Sequence, residues 1–495
     1  MLIFVESVEM TYLINRFNNS NSGVVFGGVF IVLMILIYLM VYDLAMALSV
    51  LGMVMYLGIF LLIGWKFYQT SFDLFSPLVF LGSFIFLIYP IKALYVLFSL
   101  SYGPFVNQNY KFPLDARHMI YFGEALTLSA FCCVIFLLMI NVRWIETSSK
   151  PLFSNRVWNL QKISFSMIGV SLAMVVLFSW LIFESGGLGF YLQSVAGRQS
   201  FFYGRYFIFL LIDLFPKTSC FFLASYFERI NHYPKIYVFA ILMIIILANI
   251  GVSVLAGNRS TFLLGFFIPF MVYWHYRVKP VKITQVALVI GLILFVSIFY
   301  LSTFRGRNIV ERLTLESIWQ NISVSINNFF PLIFGGPDIV QLDTLMVTMQ
   351  EIPSTYPYFA GDSLKALLAF PIPRAFYPDK PVRGNWLFTE AVFPSWRINL
   401  SGFTVSYMGD WYMNFGVAGA VLGMVLLGLM LRRIFLKLNP KVSWVSAVFY
   451  GLILSSTLTV FRSDIFSLIN FGITVLFVIA AILLCSSKKQ MTLIA

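Results

Sequence analysis

The chain has 495 residues, of which 60% are hydrophobic and 11% are charged, with a mean hydropathy of +0.90. A soluble protein carries about a quarter charged residues, so this composition excludes a water-soluble globular protein. The formal net charge is +13, but the basic residues lie in short segments between apolar runs. Basic residues in such segments orient membrane helices, so their placement argues against nucleic-acid binding. The sequence therefore predicts an all-α polytopic membrane protein.

The residues before Val24 include Glu6, Glu9 and an asparagine-rich polar stretch, so no cleavable signal peptide is expected. The four cysteines lack the spacing of a metal site or of a disulfide framework. We therefore expect no metal and no cofactor.

A helix needs about 20 apolar residues to cross the hydrocarbon core of a membrane. About twelve stretches of the chain come close to this length. In chain order they are Val24–Tyr42, Leu44–Gly64, Leu74–Leu100, His118–Val142, Ile163–Phe183, Tyr206–Phe227, Ile236–Leu255, Thr261–Tyr276, Ile283–Thr303, Trp411–Leu431, Val442–Val460 and Ile465–Cys485. The third stretch is interrupted by Pro90 and Lys92, and the eighth is short.

The distribution of Lys and Arg over the short loops predicts the orientation. If the N-terminus is cytoplasmic, most of these basic residues fall on the cytoplasmic side, as they do in membrane proteins generally. An even number of spans then places the C-terminus in the cytoplasm as well.

Residues 304–403 form a long segment between the ninth and tenth spans, on the outer face in this topology. A loop of this length is usually functional or disordered, and its aromatic residues and prolines favour order. We expect short helices lying on the outer surface. The chain thus divides into an N-terminal membrane bundle (1–303), a long outer loop (304–403) and C-terminal membrane helices (404–495).

Several arginines on the outer side stand beside glycines or prolines, although the charge rule disfavours arginine there. They are Arg198 after Gly197, Arg259 in the hairpin between spans seven and eight, Arg305 and Arg307 at the end of span nine, and Arg374 in Pro371-Ile372-Pro373-Arg374. A guanidinium group binds phosphate oxygens through two parallel hydrogen bonds. The cluster therefore suggests a pyrophosphate site. Snorkelling of each arginine to lipid headgroups, or capping of a helix end, is the alternative.

Asp410 opens the tenth span near the outer surface. A carboxylate there could act as a general base toward a sugar hydroxyl. The alternative is a first-turn acid that stabilises the N-terminus of its helix.

Charged residues also occur inside apolar spans, where they are costly. Asp213 and Lys217 are four residues apart and can pair along one helix face. Lys92 and Glu124 lie in the outer halves of spans three and four, where they could pair or line a cavity.

Three motifs resemble those of the Wzy-type O-antigen and oligosaccharide repeat-unit polymerases. The Gly-x-Arg hairpin of that family is similar to Ala256-Gly257-Asn258-Arg259-Ser260. Its Gly-x-Ser/Thr…Pro-Arg…Pro-x-Lys-Pro stretch resembles Gly361-Asp362-Ser363…Pro373-Arg374…Pro378-Asp379-Lys380-Pro381. Its Gly-Glu-x-Tyr-x-Asn-Phe-Gly signature is similar to Gly409-Asp410-Trp411-Tyr412-Met413-Asn414-Phe415-Gly416. The resemblance covers roughly residues 180–430.

The resemblance implies a metal-independent glycosyltransferase at the outer face of the cytoplasmic membrane. Such enzymes polymerise oligosaccharide repeat units carried on undecaprenyl pyrophosphate, embedded in membrane lipid, and a chain-length regulator protein is a possible partner. The residues implied to hold the pyrophosphate or the glycan are Arg198, Arg259, Arg305, Arg374 and Lys380. The candidate catalytic residues are Arg259 and Asp410. Asp410 stands where the family pattern has Glu.

Two other classes of protein remain open. A transporter or flippase of lipid-linked oligosaccharide also has about twelve spans. The sequence shows no internal repeat, however, and its charges concentrate in one outer loop. A non-catalytic membrane scaffold would not need arginines in glycine-rich motifs.

Overall fold

The computed structural model describes residues 43–69, 73–102, 112–141, 156–196, 206–229, 235–282, 339–372, 376–395 and 403–488, with a few isolated positions between them. The first predicted span (24–42) and almost all of the ninth (283–303) lie outside these ranges.

The described helices follow the apolar stretches of the sequence in order. They are α1 (Leu44–Gln69), α2 (Pro77–Ser99), α3 (Ala116–Asn141), α4 (Leu160–Glu184), α5 (Leu188–Ala196), α6 (Tyr206–Phe227), α7 (Lys235–Leu255), α8 (259–278), α9 (Gln341–Glu351), α10 (Asp362–Ala369), α11 (Gly384–Val392), α12 (Tyr407–Lys437), α13 (Trp444–Arg462) and α14 (Leu468–Cys485, preceded by the 3-10 turn Ile465–Ser467).

Within the described residues, seven helices are long and apolar enough to cross a membrane. They are α1, α2, α3, α4, α12, α13 and the helix formed by α14 with its preceding turn. This confirms an all-α membrane protein in its main features. Four short strands accompany the helices and form two antiparallel ribbons, β1 (Ser101–Tyr102) with β2 (Phe112–Pro113) and β3 (Arg156–Trp158) with β4 (Ser486–Lys488).

Helix α2 widens into a π-helical turn over Leu87–Ile91, which contains Pro90. Proline has no N–H to donate, and its ring collides with the carbonyl four residues earlier in a regular α-helix. A wider turn relieves both problems. The regular α-helical pattern is thus interrupted at Pro90 as predicted, but the span is not broken, since one continuous helix runs from Pro77 to Ser99 through Lys92.

Contacts between connecting segments gather at two ends of the bundle. At one end, the Tyr276 hydroxyl donates to Asp73 at 2.8 Å, and Arg277 pairs with Glu228 at 2.9 Å. Strand β3 pairs with β4. These segments all belong to the side that the sequence predicts as cytoplasmic.

At the other end, the loop of residues 339–395 meets the C-terminus of α13. The Gln341 side chain donates to the Arg462 carbonyl at 3.2 Å, and the Asn385 N–H donates to Asp464 at 2.9 Å. These residues belong to the predicted outer side. The grouping of contacts thus agrees with the order in which the predicted spans alternate across the membrane.

Helix α9 does not lie on the outer surface. Its residues from Gln341 to Thr348 are all buried, and it packs against α2, α3 and α12. Lys92 of α2 forms an ion pair with Asp343 at 2.6 Å, and both side chains are fully buried. The expectation of a purely superficial helix is wrong for α9 because its polar side chains find partners inside the bundle.

Helix α12 is broken at Gly416, whose φ of 67° and ψ of −156° are not helical. After the break, a Cβ on Gly423 would stand 2.5 Å from the Trp411 ring, and one on Gly419 would stand 2.6 Å from the Trp411 carbonyl. The two glycines therefore leave room for Trp411, which belongs to the first part of the same helix. Gly428 packs closely against α3 at Met139, and small residues allow such a close approach of two membrane helices.

Candidate functional site

Asp410 lies in the first part of α12, whose N-terminus is capped by Ser406 through a hydrogen bond from the Gly409 N–H at 3.1 Å. The Asp410 side chain is completely buried. One oxygen, Oδ2, accepts from the Ile465 N–H at 2.8 Å, and the other, Oδ1, accepts from the Asn414 amide at 3.1 Å. Asp410 therefore caps the turn that begins the last membrane helix.

Asn414 joins two of the sequence motifs. Its Nδ2 donates to Ser363 Oγ at 2.7 Å, and its Oδ1 accepts from the Gly361 N–H at 2.9 Å. The Phe359 N–H donates to the Met413 carbonyl at 3.0 Å. The Gly361-Asp362-Ser363 and 409–416 motifs, distant in the sequence, thus form one hydrogen-bonded unit.

Asp464 forms the second buried carboxylate of this centre, and sequence reasoning missed it. Its Oδ2 accepts from the Asn385 N–H at the start of α11, and its Oδ1 accepts from Ser463 Oγ at 3.3 Å. Burial raises the pKa of the Asp464 carboxyl above its usual value, while the positive charge of Arg383 opposes the rise. An aspartate directly before the apolar run of the last span was the signal for a helix cap.

Gly384 lets the start of α11 lie close to the Asp410 carboxylate without a steric conflict. A Cβ at this position would stand 2.5 Å from Asp410 Oδ1. Only glycine therefore allows the start of α11 to approach Asp410, while Asn385 fixes the same turn by accepting from the Val405 N–H at 2.7 Å. The start of α11, α12 and the last span are held together at one point.

Lys380 stabilises the proline-rich loop after α10. Its Nζ donates to the carbonyls of Phe370 at 2.7 Å and Ile372 at 3.0 Å, and it lies 5.4 Å from the centre of the Phe370 ring. The lysine is half-buried. Lys380 therefore holds the two ends of the segment that carries Arg374.

The predicted arginines fall mostly outside the described residues: Arg198, Arg305 and Arg374 all do. Arg259 is the first residue of α8, and the structure describes its backbone but not its side chain.

The turn before Arg259 has the expected tight form. Gly257 has a φ of 59°, a conformation that favours glycine. The Asn258 side chain accepts from the Ser260 hydroxyl at 2.6 Å and from its N–H at 3.3 Å. The backbone thus presents Arg259 at the beginning of a helix. Its role in binding stays a prediction.

The charged residues inside the spans have the following partners. Asp213 and Lys217 pair along α6, which confirms the predicted pair. Lys92 pairs with Asp343 of α9 and also donates to the Phe334 carbonyl. The pairing of Lys92 with Glu124 is not formed, because α9 supplies the carboxylate from a distant part of the chain.

These features define the class of protein: a polytopic all-α membrane protein with a buried polar centre, built from the long loop and the C-terminal helices. The family model for the O-antigen polysaccharide polymerase Wzy matches residues 24–491, nearly the whole chain. The chain belongs to this family. No curated protein and no solved structure matches it.

Proposed function

We propose that this O-antigen polymerase joins oligosaccharide repeat units carried on undecaprenyl pyrophosphate at the outer face of the cytoplasmic membrane. Membership of the polymerase family establishes the coarser activity, the polymerisation of lipid-linked repeat units. The identity of the carrier lipid, the membrane face at which transfer occurs and the residues that bind the substrates are proposed here.

The meeting of two distant motifs around Asn414 carries the proposal. Residues 361–363 and 409–416 are joined by the hydrogen bonds of Asn414 to Ser363 and Gly361, at 2.7 and 2.9 Å. The loop with Arg374 follows α10 directly and is tied by Lys380. A rigid polar centre supports a site because substrate groups must be held in a defined geometry for transfer.

The chemistry calls for positive charge where the leaving group develops its negative charge. In the transfer, a hydroxyl oxygen of the acceptor glycan bonds to the anomeric carbon of the donor. The bond from that carbon to the pyrophosphate oxygen breaks, and its electron pair leaves with undecaprenyl pyrophosphate. Arg198, Arg259, Arg305, Arg374 and Lys380 are the proposed ligands of the pyrophosphate and glycan.

In this proposal the cationic side chains supply the stabilisation and no metal ion takes part. Addition of EDTA to the purified protein should then leave the rate of polymerisation unchanged. A loss of activity that Mg²⁺ or Mn²⁺ restores would contradict this part of the proposal.

A transporter of lipid-linked oligosaccharide is the less favoured alternative. The family match supports a polymerase. Two lysines inside the described spans also have carboxylate partners, since Lys92 pairs with Asp343 and Lys217 with Asp213. Such pairs suit a fixed bundle better than an open substrate pathway.

The test uses purified full-length protein in detergent with lipid-linked repeat units and separates the products by chain length. The protein should convert single repeats into a ladder, and no translocation is needed because both substrates are accessible. Arg259→Ala should reduce the rate of ladder formation at least about 100-fold, as loss of a charge-stabilising donor does. The absence of any ladder with the unaltered protein would contradict the proposed function.

Arg277→Ala is the matched control. Arg277 lies at the opposite end of the bundle and pairs with Glu228. Partly exposed pairs of this kind contribute about 0.2–1 kcal/mol to stability, so this variant should retain the ladder. If both arginine variants lost activity equally, the loss would reflect folding rather than pyrophosphate binding.

A further inference from the structure

Glu124 of α3 is a carboxylate that neither the buried centre nor the ion pairs use. It lies half-buried, about two turns from the start of a membrane helix. Within the part of the chain that the structure describes, no group donates a hydrogen bond to it or pairs with it. An ionisable side chain in an apolar span is costly, so it marks a functional candidate.

Helix α3, which carries Glu124, packs against α9 and α12. Tyr412 belongs to α12, and Tyr358 lies in the loop that follows α9. The Tyr412 hydroxyl stands 3.5 Å from the Ile352 carbonyl at the end of α9, and Glu124 is close enough to act electrostatically on Tyr412. The two rings meet edge to face, with centroids 6.3 Å apart at 71°. The Tyr358 hydroxyl would stand 3.1 Å from a Cβ on Gly416, so the cluster adjoins the break in α12.

Tyr358 makes one side of this cluster accessible, whereas the buried centre is not accessible. Tyr358 is 40% exposed, and Asp410 is 0% exposed. A substrate hydroxyl must come within hydrogen-bond distance of its base, at about 2.6–3.2 Å. Asp410 cannot offer this in the observed geometry, because both oxygens are buried and bonded to Ile465 and Asn414.

The other described carboxylates near the two motifs are engaged. Asp362 pairs with Lys365 at 2.6 Å, and Glu351 accepts from the Gln350 amide at 3.2 Å. Asp343 is paired with Lys92. Glu124 therefore combines access with a carboxylate that no described group engages, on a helix that packs against α12.

We propose that Glu124 is the catalytic proton acceptor of the polymerisation and that Tyr358 binds the acceptor sugar. The proposal rests on the proposed function above. As the acceptor oxygen bonds to the anomeric carbon, its proton moves to the Glu124 carboxylate, while the electron pair of the breaking bond leaves with the pyrophosphate. The exposed Tyr358 ring offers an apolar face to the sugar, and its hydroxyl offers a hydrogen bond that orients it.

The test measures kcat and KM for the acceptor with purified full-length protein and defined lipid-linked donor and acceptor. Glu124→Gln keeps the shape of the side chain and removes its basicity. It should lower kcat by about 10²–10⁴-fold, the usual contribution of a general base, with little change in KM. Tyr358→Phe should raise the KM for the acceptor. Glu390→Gln, an exposed carboxylate of α11, is the matched control and should behave as the unaltered protein does.

The possible results separate this proposal from the proposed function. A ladder from the unaltered protein, with Glu124→Gln within about threefold of its kcat, overturns the role of Glu124 and leaves the function standing. A loss that appears only in KM also overturns the proton-acceptor role. No ladder from the unaltered protein overturns the function itself.

A second variant guards against a loss of folding. Each variant is first checked by gel filtration and thermal melting in detergent. Glu124→Ala should be inactive, and added formate should partly restore its kcat because a small carboxylate can replace the missing base. A folded Glu124→Ala protein that formate does not restore counts against the proposal.

Discussion

Asp410 and Asp464 each accept a hydrogen bond from an N–H in the first turn of a helix elsewhere in the chain. Asp410 binds the N–H of Ile465, and Asp464 binds that of Asn385. The first N–H groups of a helix have no partner within it, so a buried helix start needs an acceptor from outside. The sequence predicted either a base or a first-turn acid at Asp410. The geometry favours a capping role, directed at a neighbouring helix.

Replacement of Asp464 by Asn should show how the ionisation of this buried carboxyl changes the stability of the protein with pH. Burial raises the pKa of Asp464, so the carboxyl binds a proton more readily in the folded state. Its contribution to stability is fully present below the unfolded pKa and is lost as pH rises through the folded one. Asn keeps an acceptor for Asn385 and does not titrate. The melting temperature of Asp464→Asn minus that of the unaltered protein should therefore increase as pH rises from the unfolded pKa of an aspartate, about 4, through the folded one. A difference that stays constant or falls would contradict this reasoning.

At the scale of the element, α12 departs most from its sequence pattern. A single apolar helix over Trp411–Leu431 was predicted, and the structure instead breaks the helix at Gly416. The break places Tyr412 and Asn414 in a segment separate from the rest of α12. Trp411 then packs onto Gly419 and Gly423.

Gly416→Ala should destabilise the protein and impair polymerisation together. The φ of 67° is strained for a residue with a Cβ and costs about 1–3 kcal/mol. The new methyl group would also press on the Tyr358 hydroxyl at 3.1 Å. Thermal melting in detergent and the ladder assay measure the two effects.

Gly169→Ala in α4 is the matched control, because nothing lies within 4 Å of its Cβ position. Alanine in a helix interior is favoured over glycine by about 1 kcal/mol. This variant should keep or raise the melting temperature and keep the ladder. Equal melting temperatures for the two alanine variants would show that Gly416 does not need its unusual conformation.

For the whole molecule, the contacts divide into two ends that match the predicted alternation of spans. Which end faces the cytoplasm is a prediction from the Lys and Arg distribution. The proposed reaction at the outer face depends on this orientation, because it requires Asp410, Asn414 and Glu124 to lie toward the outside.

Labelling with a membrane-impermeant maleimide tests this orientation. The four native cysteines are buried and should give little background. Asp379→Cys, in the long loop, should react in intact spheroplasts, and Lys441→Cys, between α12 and α13, should react only after permeabilisation. Both replaced residues are exposed. The opposite pattern would reverse the topology and contradict an outer-face reaction.

The sequence alone determined the class of protein, the order of the described membrane helices, the interruption at Pro90 and the Asp213–Lys217 pair. Each of these depends on residues that are close in the chain, where apolar length, proline chemistry and helical spacing act locally. The motif resemblance also led to the family that the comparison established.

Only the tertiary structure decided which distant groups meet. It buried α9, paired Lys92 with Asp343, joined Asn414 to Ser363, and brought Asp464 to the start of α11. In an apolar interior a polar group must find a partner wherever packing supplies one. That choice depends on the distances between helices far apart in the chain, which no local pattern contains.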